Sequence, residues 1–266
     1  MRHFSISLAG CAFAALLLLL LPVRAFAQQE TEPQMGAELF NELKSKGEIV
    51  ASSPLYESLR PIASAITKVV QPQYAYPIHF YIVHEQQPNA FAAPGGNVYV
   101  TDSLMYFVKN SQELTGTICH ETSHLLHHDS VALMQRDEQI RKRAVAAAIV
   151  LGPGLDTALA VGAIAHLDSL HYSRAAEEQA DLTGSDTCAA ANSNPWGLVW
   201  LFRDFSNAQL DSPPEILSDH PDDQHRIAAL EQHFQQNPTR FARFSNDPQT
   251  ATHLVLPKDT SETFLR

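Results

Sequence analysis

The chain has 266 residues, 45% of them hydrophobic, with 18 basic and 29 acidic side chains and a formal net charge of −11. That length suits one domain with a full core, alone or followed by a tail. So acidic a chain is a poor ligand for nucleic acid or anionic lipid. A nucleic-acid partner is therefore not expected, and the charge is read as serving solubility.

The N-terminus reads as an export signal. Met1-Arg2-His3 is a short basic start, and an apolar run extends from Leu8 to Leu21. Pro22 breaks the run, and Ala25-Phe26-Ala27 is an A-x-A cleavage site ahead of polar Gln28-Gln29-Glu30. The run is short for a membrane span. Leu8-Ala9-Gly10-Cys11 has the form of a lipoprotein processing box but comes too early in the chain. The expectation is an exported, periplasmic or otherwise extracytoplasmic protein cut after Ala27. The cut removes two arginines and no acid, so the net charge becomes −13. Residues 1–27 are then the signal, 28–235 one domain, and 236–266 a tail.

Residues 28–36 are polar and expected to be loose. Helical spacing runs from Met35 to Lys46 (Leu39, Leu43) and stops at Gly47. Pro54 to Val70 reads as a longer helix, with Pro54 in its first turn and Pro61 as a weak point. Pro77 to His84 is β-rich and alternating, Asn89 to Gly96 is a turn-rich connector, and Asn97 to Thr101 is a second strand. Ser103 to Lys109 makes a short helix. Asn110 or Ser111 caps the next one, expected to run to about Gln135 with Ile118, Leu125, Leu126, Val131 and Leu133 on its apolar sides. Val145 to Ala165 is strongly apolar but broken by Gly152-Pro153-Gly154 and Asp156, so each arm is too short to span a bilayer. A buried or site-covering hairpin is preferred there, with peripheral membrane contact through 145–165 as the alternative. Further helices are expected from Tyr172 to about Ala190, Pro195 to Phe205 and Gln224 to Phe234. Beyond 235 the chain reads as a loosely attached tail.

Inside the Asn110 helix lies His120-Glu121-Thr122-Ser123-His124. Histidines four apart sit about 6 Å apart along a helix axis and on one face, so both imidazoles reach one metal ion. The glutamate beside the first is placed to act on a water rather than on the metal. This is the HExxH arrangement that zinc peptidases use. Catalytic zinc wants three protein ligands and an open position. The metzincin pattern would need glycine at 127 and histidine at 130, and this chain has His127 and Ser130. His127 and His128 are read as surface or outer residues, because three ligands on one straight helix cannot surround an ion. Glu177 and Asp181 are four apart on the Tyr172 helix and share a face. One can ligate while the other accepts the N–H of a ligand histidine. Glu178 points about 100° away. Outside the signal there are two cysteines, Cys119 and Cys188, and no CxxC pair. They form either a disulfide or two buried thiols, and the sequence leaves both open.

Four ordered segments resemble the HtpX-like zinc metallopeptidases, family forty-eight of the metallopeptidases, which includes the CAAX prenyl endopeptidases. These are Asn89 to Thr101 (NAFAAPGGNVYVT), His120 to His124, Ser173-Arg174 through Glu177 to Asp181, and His220-Pro221 with Arg226-Ile227. The resemblance covers roughly residues 55–232. It implies an α+β fold: a mainly helical zincin-like domain with a small sheet and two crossing metal helices. It implies one Zn2+ per chain on His120, His124 and Glu177, with Glu121 as general base and proton donor and Asp181 behind a ligand histidine. His220 would lie near the metal, stabilising the oxyanion or closing the site as a fourth ligand. Ser218-Asp219-His220-Pro221 also reads as a helix cap. Asn97, Val98, Tyr99 and Val100 would offer a strand edge to an extended substrate. The integral-membrane members carry several long apolar spans that this sequence lacks, so it is closer to exported, soluble members. The expected activity is endopeptidase cleavage of exported or envelope proteins. The competing expectations are a non-proteolytic chaperone or binding module that kept the fold, and a zinc hydrolase acting on a non-peptide amide.

Overall fold

The computed structural model describes residues 31–136, 138–139, 142, 172–207 and 223–256. The signal segment with its cleavage site after Ala27, the 145–165 hairpin and His220 lie outside the described residues. In chain order the helices are α1 (Glu32–Lys46), α2 (Leu55–Val70), α3 (Asp102–Phe107), α4 (Ser111–Leu126), α5 (Arg174–Ala190), α6 (Trp196–Asn207), α7 (Asp223–Gln236) and α8 (Pro238–Phe241). The strands are β1 (His79–Val83), β2 (Ala90–Ala93) and β3 (Asn97–Thr101). This is the expected mainly helical α+β arrangement with a small sheet. Among the described residues, no helix is long and apolar enough to cross a membrane.

Glu32 and Pro33 open α1 inside the stretch expected to be loose, and Met35 and Gly36 are buried. Lys44 and Lys46 sit in its last turn, where cations suit the helix dipole. Gly47 then takes φ +77°, and the N–H of Glu48 reaches back to the Leu43 carbonyl at 3.0 Å. Only glycine adopts that left-handed cap without strain. α2 runs straight through Pro61 and buries Leu55, Leu59, Ala63, Ile66 and Val70 on one face.

The sheet has the order β1-β3-β2, with β1 parallel and β2 antiparallel to β3. The segment read as a connector therefore contains a strand. Its four residues are mostly alanine, a poor strand former, so pairing with β3 rather than propensity makes it one. Tyr81, Tyr99 and Phe91 lie directly opposite one another in register, and their rings stack at 5.5 and 4.8 Å. Phe40 of α1 covers Tyr81 at 4.9 Å. The opposite face sends Ile82 and Val100 into the main core beside α2, α3 and α4.

α4 is the axis of the molecule. Every residue from Glu113 to Leu125 is buried, although more than half of them are polar. The hydroxyls are satisfied within the helix. Thr115, Thr117, Thr122 and Ser123 each donate to the carbonyl four residues back, at 2.6, 3.1, 2.9 and 2.8 Å. Its start resembles a capping box: Asn110 accepts from the Glu113 N–H, and Glu113 accepts from the N–H of Lys109, one residue before the cap, at 2.7 Å. Its end departs from expectation. The helix stops at Leu126 rather than near 135, because His128 turns left-handed at φ 55°; residues 129–136 are helical again after the break.

Residues 236–256 are docked rather than loose. Phe241 joins Phe234, Leu230, Val199 and Phe202 in a second apolar cluster. Thr252 accepts from the Ser111 N–H at 3.0 Å, and Leu254 is buried in the main core. The residues after Phe234 thus close over the start of α4.

Candidate metal centre

α4 and α5 cross at His120. Gly184 makes the approach close: a Cβ there would stand 3.0 Å from the His120 backbone nitrogen. A disulfide between Cys119 and Cys188, with Cα atoms 5.8 Å apart, joins the same two helices and settles the thiol question. The crossing brings His120, His124 and Glu177 together, their ligand atoms all within 4.8 Å of one another and all three residues buried. The two Nε2 atoms are 3.1 Å apart. Glu177 Oε2 lies 3.4 Å from Nε2 of His120, and Oε1 lies 3.5 Å from Nε2 of His124.

The outer nitrogens are committed elsewhere, which leaves the Nε2 lone pairs facing inward. Nδ1 of His120 meets Asp181 Oδ1 at 2.9 Å, and Nδ1 of His124 meets Asp129 Oδ2 at 2.8 Å. Carboxylates so placed fix tautomer and ring orientation and make the imidazole a better ligand. Arg226, buried on α7, forks onto Asp181 at 2.6 and 2.7 Å and reaches Glu177 at 3.1 Å. The ring of Phe202 on α6 lies 4.4 Å beneath the guanidinium. Two buried acids side by side need such a cation to stay ionised.

Electrostatics follow from these contacts. Burial alone would lower the His120 imidazole. The Asp181 and Glu177 carboxylates outweigh it, and without a metal the ring is raised to about 9. Burial pushes the Asp181 carboxyl up, but the Arg226 guanidinium wins and holds it below the ordinary carboxylate range. Two imidazole nitrogens and one carboxylate form a donor set that fits a divalent ion of borderline softness.

Glu121 is fully buried on α4 beside His120. Glu178 is exposed, as its angle predicts. His127 reaches Thr183 of α5 at 3.2 Å. Asn97, Val98, Tyr99 and Val100 require a correction: β3 is the central strand, hydrogen-bonded on both sides and wholly buried, so it has no edge to offer a peptide. β2 is an outer strand of the sheet and lies against α4.

Sequence reasoning missed three neighbours. Arg226 was visible in a motif, but its duty was not; two acids predicted to be buried together were the signal. Asp129 was hidden by the expectation of a continuous helix. Tyr172, one residue before the Ser173 cap of α5, stacks on the His124 ring at 4.1 Å.

With this geometry in view, the comparisons with known proteins agree. The profile of peptidase family M48 matches residues 57–233. The beta-barrel assembly-enhancing protease of Escherichia coli K12 is 25% identical over 207 residues, covering 74% of this chain and 42% of that protein. The protein of the same name from Yersinia pestis is 26% identical over 155 residues, covering 54% and 32%. Mitochondrial metalloendopeptidase OMA1 of Schizosaccharomyces pombe is 27% identical over 162 residues, covering 57% and 45%. The matched stretch spans less than half the length of each of these relatives. The profile covers most of the chain and includes both metal helices, and on that ground the chain is a member of peptidase family M48.

Proposed function

We propose that the protein is a zinc-dependent endopeptidase that cleaves exported or envelope proteins. One observation carries the reading: two imidazoles and a carboxylate converge on one point, with the Glu121 carboxylate on the same helix. A zinc ion held by His120, His124 and Glu177 would supply a Lewis acid that polarises the scissile carbonyl and acidifies water. Glu121 accepts the proton of the attacking water and returns it to the leaving amine. Asp181 and Asp129 keep the two imidazoles oriented, and Arg226 keeps Asp181 ionised. His220 is assigned to the oxyanion or to a resting fourth contact. Support comes from its place three residues before α7, whose Arg226 touches Glu177 and Asp181. The strand assigned to an extended substrate is β2, by strand addition beside the metal helix.

Export with cleavage after Ala27 is part of the proposal. The buried disulfide supports it, because such bonds persist in oxidising compartments. The names of the bacterial relatives support an envelope substrate. The test is digestion of a denatured protein by the purified chain with zinc analysis, beside Glu121→Gln. Wild type should hold one zinc per chain and cut, and Glu121→Gln should hold zinc and cut at least 100-fold more slowly, the usual scale for loss of a general base. A metal-free wild type, or an undiminished variant, would sink the reading.

A further inference from the structure

Glu32 is the first residue of α1, and its side chain is only 10% exposed. Oε1 accepts from the Tyr74 hydroxyl and from the Gly95 N–H at 3.3 Å. Oε2 meets Nδ1 of His128 at 3.0 Å. One carboxylate therefore ties together the turn after α2, the Pro94-Gly95-Gly96 turn before β3 and the exit of the metal helix. α1 is pressed onto that second turn, since a Cβ on Gly36 would meet the Pro94 carbonyl oxygen at 2.0 Å.

His128 is the residue at the reversal. Its φ of 55° is left-handed, a conformation that costs a non-glycine residue about 1–2 kcal/mol and survives only where the surroundings hold it. Local bonds hold the backbone. The N–H groups of His127 and His128 reach the Ser123 and Leu125 carbonyls at 3.0 Å, and the His128 carbonyl accepts from Ala132 at 3.1 Å. The side chain is held at its tip by Glu32, with the Tyr74 ring 5.8 Å away. The reversal returns the chain toward α4 and delivers Asp129 to Nδ1 of His124. Had the helix continued through 128, Asp129 would lie five residues on and to one side of His124, away from its ring.

We propose that Glu32 is a positioning residue for the metal centre. By fixing His128 in the left-handed turn it sets Asp129, and through Asp129 it sets the orientation of His124. The inference rests on reading His120, His124 and Glu177 as the metal site, and it gives the first turn of α1 a duty in metal binding that its distance from the ligands does not suggest.

The test uses the purified full protein, with the zinc dissociation constant from competition with a chromophoric chelator. The visible spectrum of the cobalt-substituted protein serves as a second reading of ligand geometry. Glu32→Ala should weaken zinc about tenfold, the low end for removing an outer partner of a ligand, and should shift the cobalt bands. His128→Val, which resists the left-handed turn, should do the same. His128→Asn tolerates the turn and still offers Glu32 a donor, so it should stay within about twofold of wild type. In an Asp129→Asn background, Glu32→Ala should add nothing, because the effect travels through Asp129. Should Glu32→Ala fail to fold, Glu32→Met, which keeps the length of the side chain without its oxygens, carries the same readings. If the Glu32 variant melts earlier but keeps wild-type zinc affinity and cobalt spectrum, α1 is only a staple and the proposal is overturned. Additive losses with Asp129→Asn overturn it too. A wild type that binds no zinc overturns the metal-site reading instead, which is a separate result.

Discussion

The two histidine ligands sit one helical turn apart, yet they are supported by opposite kinds of structure. His120 is braced from the core: Asp181 behind it, Arg226 behind Asp181, Phe202 beneath Arg226, and a disulfide at the preceding residue. His124 is braced from the rim: Asp129 opens the helical stretch that follows the reversal, its side chain is 19% exposed, and the residue before it is strained. Both imidazoles receive a carboxylate at nearly equal distance. The difference lies in what holds the carboxylate, packed interior in one case and a tethered reversal of the chain in the other. One ligand is thus fixed by the same forces that fold the protein, and the other can be tuned without unfolding it.

The harshest way to break the core side is Arg226→Met. It leaves Asp181 and Glu177 with one cation, His120, between two buried acids, and leaving buried charge uncompensated costs about 3–5 kcal/mol. Urea denaturation of the metal-free protein should show that loss. Next comes the cross-link. Cys119→Ala with Cys188→Ala should cost about 2–4 kcal/mol, read the same way, with most of it appearing on reduction of the wild type as well. Asp181→Asn and Asp129→Asn make the direct comparison. Asp181→Asn should weaken zinc about 100-fold and lower the melting temperature. Asp129→Asn should weaken zinc about tenfold with little change in melting. Equal losses of stability in the two variants would dissolve the contrast drawn above.

The smallest effect is a pH profile of the metal-free protein. Asp181 is depressed in the folded state, so its contribution is present above its unfolded value near 4 and is lost as pH falls. His120 is raised to about 9, so its contribution is full below about 6.5 and is lost as pH rises through 9. Thermal melting should therefore peak between about pH 4 and 6.5 and decline on both sides by a few degrees, at about 2–4 °C per kcal/mol. A melting temperature that keeps rising to pH 9 would show that His120 is not held protonated by its carboxylates.

The two helix faces that meet at the site were readable in the sequence because helix geometry converts spacing into faces, whereas the choice of Glu177 over Asp181 came from the family resemblance. Four-residue steps at His120/His124 and Glu177/Asp181 need no tertiary knowledge. Whatever depended on the path between elements was not readable. A left-handed turn at His128 leaves no glycine to announce it, so the helix was extended and Asp129 was lost with it. Strand order is a tertiary fact: β1 and β3 are both rich in β-branched and aromatic residues, and nothing in either sequence announces that β3 takes the middle while alanine-rich β2 takes the edge. Residues 28–36 and those after 235 look polar because their anchors are few and separated. Glu32, Phe241 and Leu254 each hold a stretch that composition alone would leave loose.

The Cys119–Cys188 bond closes a loop with a sequence separation of 69. A single backbone cut anywhere between those two residues therefore leaves the chain in one covalent piece, with His120, His124, Glu177 and Asp181 still on strands that the bond joins. Such a nicked molecule would run as one band without reductant and as two with it. One peptide-bond cleavage between the two metal helices is thereby survived as a covalent whole, and it takes reduction as well as the cut to part the site's side chains.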